Sequence, residues 1–272
     1  MTMAFVENHG VKIYWDERGA GPPLVLIMGL GCSSDVWRQL RADVSKSYRT
    51  IALDNRCSGR SDRARCTMSL MASDVAAVMD AAGVEKAHIV GASMGGMIAQ
   101  EFALSYPERV RGLILACTLT GGVYAVPTKL DLVLAILWRA LQTPEAAMDA
   151  FVPFLYDPST PRERVEAELA ILKKFAPSRT ALRSQILAVL RWRSYDRLPR
   201  ITAPTLVLHG DADRFVPFSN GELIASRIPG AQLVMIPHAG HMLATDQPEL
   251  TYKVVREFLK KVESGEKSKG VA

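Results

Sequence analysis

At 272 residues, 49% hydrophobic and 22% charged, the chain has room for one large α/β domain or two small ones and an ordinary globular composition. A chain of this length buries about three quarters of its unfolded surface, so no disulfide or metal staple is required. The formal charge is +5, but the basic residues are spread out; their one cluster, Lys260 to Lys269, reads as a solvated tail, and no nucleic-acid motif accompanies it.

Cys32, Cys57, Cys66 and Cys117 form no CxxC pair and read as free thiols in a reducing compartment. The opening MTMAFVENHGVKIYW carries Glu7 and no uninterrupted apolar run, so no signal peptide is expected. Leu130 to Leu141 is the most apolar stretch, begins beside Asp131 and is too short to span a bilayer. These features lead us to expect a cytoplasmic protein with no membrane or nucleic-acid partner, and a homodimer is compatible with them.

In chain order, Phe5–Asn8 and Val11–Glu17, broken by His9-Gly10, suggest an antiparallel pair. Six short apolar runs follow: Leu24–Met28, Thr50–Asp54, Ala87–Gly91, Gly112–Cys117, Thr205–Gly210 and Gln232–Pro237. They are β-branched and apolar on both faces, as buried parallel strands should be. Helical patterns fill the gaps: one capped by Thr67 and ending before Gly83, another after Asp246 with Pro248 in its first turn. Such alternation predicts βαβ units and a mainly parallel sheet.

The alternation stops after Cys117. From Gly121 to Pro199 the sequence reads as consecutive helices punctuated by Thr143-Pro144, Thr160-Pro161 and Ser178. Thr160 with Glu163 fits a capping box with proline at the first helical position. The organisation expected is a core domain of residues 1–120 and 200–265, a helical cap inserted at 121–199, and a flexible basic tail at 266–272.

VGASMGGMIAQ, Val90 to Gln100, places a GxSxG triplet between a strand and an unbroken helical run. The triplet alone is weak, and the strand-turn-helix context makes it a functional hypothesis. A serine reversing sharply from strand to helix adopts a strained backbone, and Gly91 and Gly95 remove side chains that would clash. Ser93 is then raised above the carboxyl edge of the sheet, where the Met94 N–H and the helix dipole face a developing oxyanion.

Such a serine needs a base. Asp211 and Asp213 follow the strand TLVLHG, and His238 and His241 follow QLVMIP, in the order Ser, Asp, His. His241 is favoured because the glycine before it allows a tight loop, whereas His238 leaves its strand directly through Pro237. Both aspartates stay open on spacing alone. His9, His88 and His209 show no metal-ligand spacing, and Asp54 and Asp62 precede the serine on the wrong connection.

Over nearly its whole length outside the helical insertion, the chain resembles the α/β-hydrolase superfamily. GASMGGMIAQEFALSYPERVRGLILA, Gly91 to Ala116, is similar to the branch of 3-oxoadipate enol-lactonases, cofactor-free haloperoxidase/perhydrolase-type esterases and small carboxylesterases. The resemblance implies an α/β-hydrolase fold with a mainly parallel eight-stranded sheet, flanking helices and an inserted helical cap. In HGDADRFVP it assigns the acid to Asp213, and the base to His241. DNRCSGRSD, Asp54 to Asp62, resembles a family loop that usually carries glycine where Cys57 stands. The first oxyanion loop, commonly HGxG, here reads Met28-Gly29-Leu30-Gly31, so the Leu30 amide takes the oxyanion role beside Met94.

The implied reaction is acyl transfer without cofactor or metal: Ser93 attacks, His241 moves the proton and Asp213 holds the imidazole. The expected partner is a small ester or lactone. Leu130 to Leu141 is apolar all round, so it is buried on more than one side, and Leu134, Leu137 and Trp138 are candidate substrate contacts. Enol-lactone hydrolysis, carbon–carbon bond hydrolysis and perhydrolysis would use the same three residues, and a hydrolase-fold small-molecule receptor is a further alternative. A serine nucleophile speaks against the dehalogenases and epoxide hydrolases of this fold, whose corner carries aspartate.

Overall fold

The computed structural model describes residues 2–128 and 152–265. β1 (Thr2–Asn8) and β2 (Val11–Arg18) pair antiparallel. Their two-residue turn has φ of 50° at His9 and 74° at Gly10, positive at both central positions, as a tight hairpin requires. β3 (Pro23–Ile27), β4 (Arg49–Leu53), β5 (Ala87–Ala92), β6 (Val110–Ala116), β7 (Thr205–Gly210) and β8 (Gln232–Ile236) complete one eight-stranded sheet. Its spatial order is β1-β2-β4-β3-β5-β6-β7-β8, and every pair from β4 to β8 is parallel. The chain runs from β3 outward to β4 and then to β5 on the opposite side of β3. The carboxyl ends of β3 and β5 therefore flank a topological switch point, where open α/β sheets bind ligands.

Two cores follow from strands apolar on both faces. Leu24, Leu26, Val90 and Ile114 pack with α1 (Arg38–Val44), α7 (Leu243–Asp246) and α8 (Pro248–Glu263). Val25, Ile27, Ile89 and Leu113 pack with α2 (Met68–Ala81), α3 (Met94–Ser105) and α6 (Ser219–Arg227) on the other face. β8 departs from the expectation of a strand buried on both sides. It is the last strand of the sheet: Val234 and Ile236 join the α1/α8 core, while Leu233 and Met235 are exposed on the reverse face. Thr67 caps α2, its hydroxyl accepting the Leu70 N–H at 3.1 Å.

Between β6 and β7 the described residues include α4 (Arg162–Lys174) and α5 (Arg179–Arg191), and a bridge between Gly121 and Arg193 ties the ends of this segment together. Ser178 caps α5 through the Ala181 N–H at 3.3 Å. The capping box expected at Thr160 does not form. α4 starts at Arg162 without a side-chain cap, and the Thr160 hydroxyl donates instead to Asp246 Oδ1 at 2.6 Å. A buried carboxylate left without donors costs more than a solvated helix terminus, so Asp246 takes the hydroxyl.

Candidate active site

Ser93 stands between β5 and α3 with φ 55° and ψ −122°, a left-handed conformation that side chains rarely adopt. Its N–H donates to Ala116 O on the neighbouring strand at 2.9 Å, and its carbonyl accepts the Thr118 hydroxyl at 2.7 Å. The two glycines of the triplet are needed sterically: a methyl group at Gly91 would overlap the carbonyl of Gly95, and one at Gly95 would overlap the carbonyl of Ile27. Gly96 gives room to Thr118, because a methyl there would meet the Thr118 side chain at about 2.5 Å.

The oxyanion-type loop follows β3 and presses on the same corner. A methyl at Gly29 would stand 3.0 Å from Ser93 Cβ and 3.5 Å from its Oγ. Gly31 turns at φ 69°, and its N–H donates to Gln185 Oε1 of α5 at 2.8 Å. Gln185 Nε2 in turn donates to Arg56 O and Ser58 Oγ at 2.8 and 2.9 Å, while Asn55 Nδ2 holds Met28 O at 2.7 Å. Leu30 lies in this clamped turn, and Met94 opens α3, where a first-turn N–H has no acceptor inside the helix.

Of the two candidate pairs, the structure brings together His241 and Asp213, with Nδ1 and Oδ2 2.8 Å apart. Asp213 is buried, and its Oδ1 accepts the N–H groups of Phe215 and Val216 at 2.9 and 2.8 Å. Burial opposes its ionisation, but the charge and hydrogen bond of His241, with His209 and the Val216 N–H, outweigh it and hold the carboxyl below its ordinary value. Asp211 is exposed and accepts the Ala239 N–H at 3.3 Å, and His238 is exposed with φ 53°. Phe215 packs edge-on against the His241 ring, with centroids 5.0 Å apart.

Behind Asp213, burial pulls the pKa of His209 down, keeping the imidazole neutral. Its Nε2–H donates to Val216 O at 2.8 Å and lies 3.5 Å from Asp213 Oδ2. Cys117, His209 and Asp213 thus converge, a grouping that sequence spacing gave no sign of. Burial also pushes the Cys117 thiol far above its usual value, so it approaches Asp213 as a neutral S–H.

The His241 loop is gripped by the segment between β6 and β7. Asp246 Oδ2 accepts the N–H of Gly240 at 2.6 Å and that of Asp157 at 3.1 Å, and Met242 N–H donates to Leu155 O at 3.0 Å. Gly240 has no room for a side chain: a methyl would stand 2.8 Å from Leu155 O and 3.2 Å from Asp157 N. Sequence reasoning found Gly240 but not Asp246, Gln185 or Thr118, since their partners lie up to 154 residues away and leave no local pattern.

A cavity of about 50 Å³ lies at the carboxyl ends of the strands, lined by Met28, Ala92, Cys117, His241, Thr245 and Glu168 among others. Ala92 directly precedes Ser93. Glu168 of α4 is the one acidic side chain of this lining among the described residues, and it accepts the Thr245 hydroxyl. Burial pushes its pKa up to about 7, against that hydroxyl and the charge of Arg38. The candidate contacts Leu134, Leu137 and Trp138 lie outside the described residues. Arg162 is exposed and paired with Glu166, at 2.6 Å. No helix among the described residues is long and apolar enough to cross a membrane.

Comparison with known proteins agrees with this architecture. The chain is 35% identical to a 2-hydroxy-6-oxononadienedioate/2-hydroxy-6-oxononatrienedioate hydrolase of Burkholderia vietnamiensis, over 92% of each chain. It is 31% identical to a provisionally named carbamate hydrolase of Azorhizobium caulinodans, over 94% of this chain and 98% of that one. Among solved structures, a thermophilic esterase from Thermogutta terrifontis superposes with a TM-score of 0.83 at 29% identity, covering 96% of this chain and 99% of that one. The family described as "Alpha/beta hydrolase family" matches residues 24–254, and the chain belongs to it.

Proposed function

We propose that the protein is a serine hydrolase that cleaves a small, largely apolar carboxylic ester or lactone through an acyl-enzyme on Ser93. His241 accepts the Ser93 proton and later delivers it to the leaving alcohol, and Asp213 fixes the imidazole tautomer and stabilises its charged form. The N–H groups of Leu30 and Met94 hold the oxyanion, each contributing about 3 kcal/mol to transition-state stabilisation. The observation that carries the reading is the joint one of a strained Ser93 corner and a 2.8 Å His241–Asp213 contact, with Ala92 and His241 lining one cavity. The segment 121–199 acts as a cap over this site.

Carbon–carbon bond hydrolysis of a dioate, the activity in the name of the Burkholderia relative, would use the same residues. The cavity favours the ester. Its lining carries Glu168 and no lysine or arginine among the described residues, a poor setting for a substrate with two carboxylates. The test is hydrolysis of p-nitrophenyl acetate, butyrate and octanoate, beside a carboxylate-bearing ester, by the wild type and Ser93→Ala. Turnover lost in the variant, with kcat/KM higher for the neutral esters, supports the proposal. Equal activity of the two proteins, or a clear preference for the anion, overturns it.

A further inference from the structure

Two of the four cysteines play no part in this chemistry, yet the fold brings them together. Cys57 lies in the loop after β4 with φ 69°, the left-handed region that favours glycine. Its sulfur donates to Ala64 O at 3.1 Å and accepts the Ala64 N–H at 3.3 Å. The Cys66 sulfur lies 3.7 Å from the same Ala64 carbonyl and 3.9 Å from Arg56 O, so both sulfurs converge on one carbonyl oxygen. Both are free and buried, so neither thiol is positioned by chance exposure.

The hairpin that carries them is fixed from outside. Ser184 Oγ of α5 donates to Ala64 O at 3.1 Å and accepts the Cys66 N–H at 3.0 Å, and Gln185 binds Arg56 O and Ser58 Oγ. Cys57 also lines a second cavity, of about 180 Å³, together with Ser58, Ser61, Arg63, Lys174 and Phe175. Cys57, but not Cys66, therefore borders a cavity that carries two cationic side chains and suits a small polar oxidant.

We propose that Cys57 and Cys66 form a redox pair, in which a hydroperoxide entering this second cavity oxidises Cys57 and Cys66 resolves the product as a disulfide. The Cys57 thiolate attacks the terminal oxygen of the hydroperoxide; the O–O bond breaks, giving Cys57–SOH and releasing alkoxide, or hydroxide when the oxidant is hydrogen peroxide. The Cys66 sulfur then attacks the sulfenic sulfur; the S–O bond breaks, and the OH leaves with the Cys66 proton as water. A dithiol reverses the pair by exchange, becoming a disulfide itself. The electrostatics suit these roles. The neighbouring Cys66, the Ala64 N–H and the charge of Arg56 hold the Cys57 thiol below its ordinary value despite burial, while Cys57 and burial push that of Cys66 up.

The test treats the full-length protein with a few equivalents of hydrogen peroxide, alkylates the remaining thiols and digests with trypsin without reductant. Cleavage after the arginines between them separates the two cysteines. The expected product is a Cys57–Cys66 linked peptide, two hydrogens lighter than its parts and released by dithiothreitol, with Cys32 and Cys117 alkylated. In Cys66→Ser the link disappears and dimedone captures Cys57 as sulfenic acid. Cys57→Gly, which suits the left-handed backbone, abolishes both signals and, by circular dichroism, remains folded. Alkylated Cys57 after peroxide, or dimedone capture equal in the wild type and Cys66→Ser, would overturn the proposal.

Discussion

Ser93, the proposed nucleophile, and His241, the proposed base, are held by different kinds of contact. At Ser93 the strained corner is fixed by neighbouring strands: Ala116 O takes its N–H, and the bare backbones of Gly91 and Gly95 admit the close approach. At His241 the loop is fixed by a distant segment, through Leu155 O, the Asp157 N–H and the Thr160 hydroxyl, all converging on Met242, Gly240 and Asp246. The first arrangement belongs to the sheet itself. The second exists only when residues 155–160 are docked, so His241 is held by that distant stretch, whereas Ser93 takes the Thr118 hydroxyl from two residues past β6.

The largest effect that would break this comparison is at the nucleophile. Ser93→Ala is expected to lower kcat by about 10⁶-fold, measured on the preferred p-nitrophenyl ester, with no loss of thermal stability because the half-buried hydroxyl is removed while the backbone clamp at Ala116 and Thr118 stays intact. Asp213→Asn comes next, at about 10⁴-fold in kcat, because an amide facing Nδ1 favours the wrong imidazole tautomer. Retention of most activity would show that the 2.8 Å contact is structural only.

Asp246→Asn sharpens the contrast. It keeps one acceptor but loses part of the set binding Gly240, Asp157 and Thr160. We expect kcat to fall about 10–100-fold through misplacement of His241, with KM little changed. If stability drops while kcat holds, the docked segment braces the fold without aligning the base.

The smallest effect is on stability. The folded pKa of Glu168, about 7, lies above its ordinary 4.5, so the folded state retains a proton that the unfolded chain gives up between these values. Stability from this group is therefore full below pH 4.5 and declines as pH rises toward 7, by on the order of 3 kcal/mol. Glu168→Gln should flatten that slope in urea titrations at pH 5 and pH 7.5. An unchanged slope would mean that the carboxyl is solvated in solution.

Much of this molecule was legible because its signals are local. Each parallel strand is a short apolar run, Thr67 and Ser178 sit where caps belong, and the glycines around Ser93 mark a corner within a few residues. β8 misled because an edge strand has the same composition as a buried one, and burial depends on what covers it. Thr160 misled because a nearby capping pattern competes with a carboxylate 86 residues away, and only the fold sets that distance.

The sequence by itself thus determined the strand-helix alternation, the serine corner and the order of the candidate acid and base, all carried by periodicity and backbone sterics. Tertiary structure alone set Asp213 rather than Asp211 against His241, drew Asp246, Gln185 and Thr118 into the site's support, and brought Cys57 and Cys66 to one carbonyl. Those outcomes depend on which side chains meet across the sheet edge, and a hydrogen bond between residues far apart in the chain leaves no trace in the residues between them.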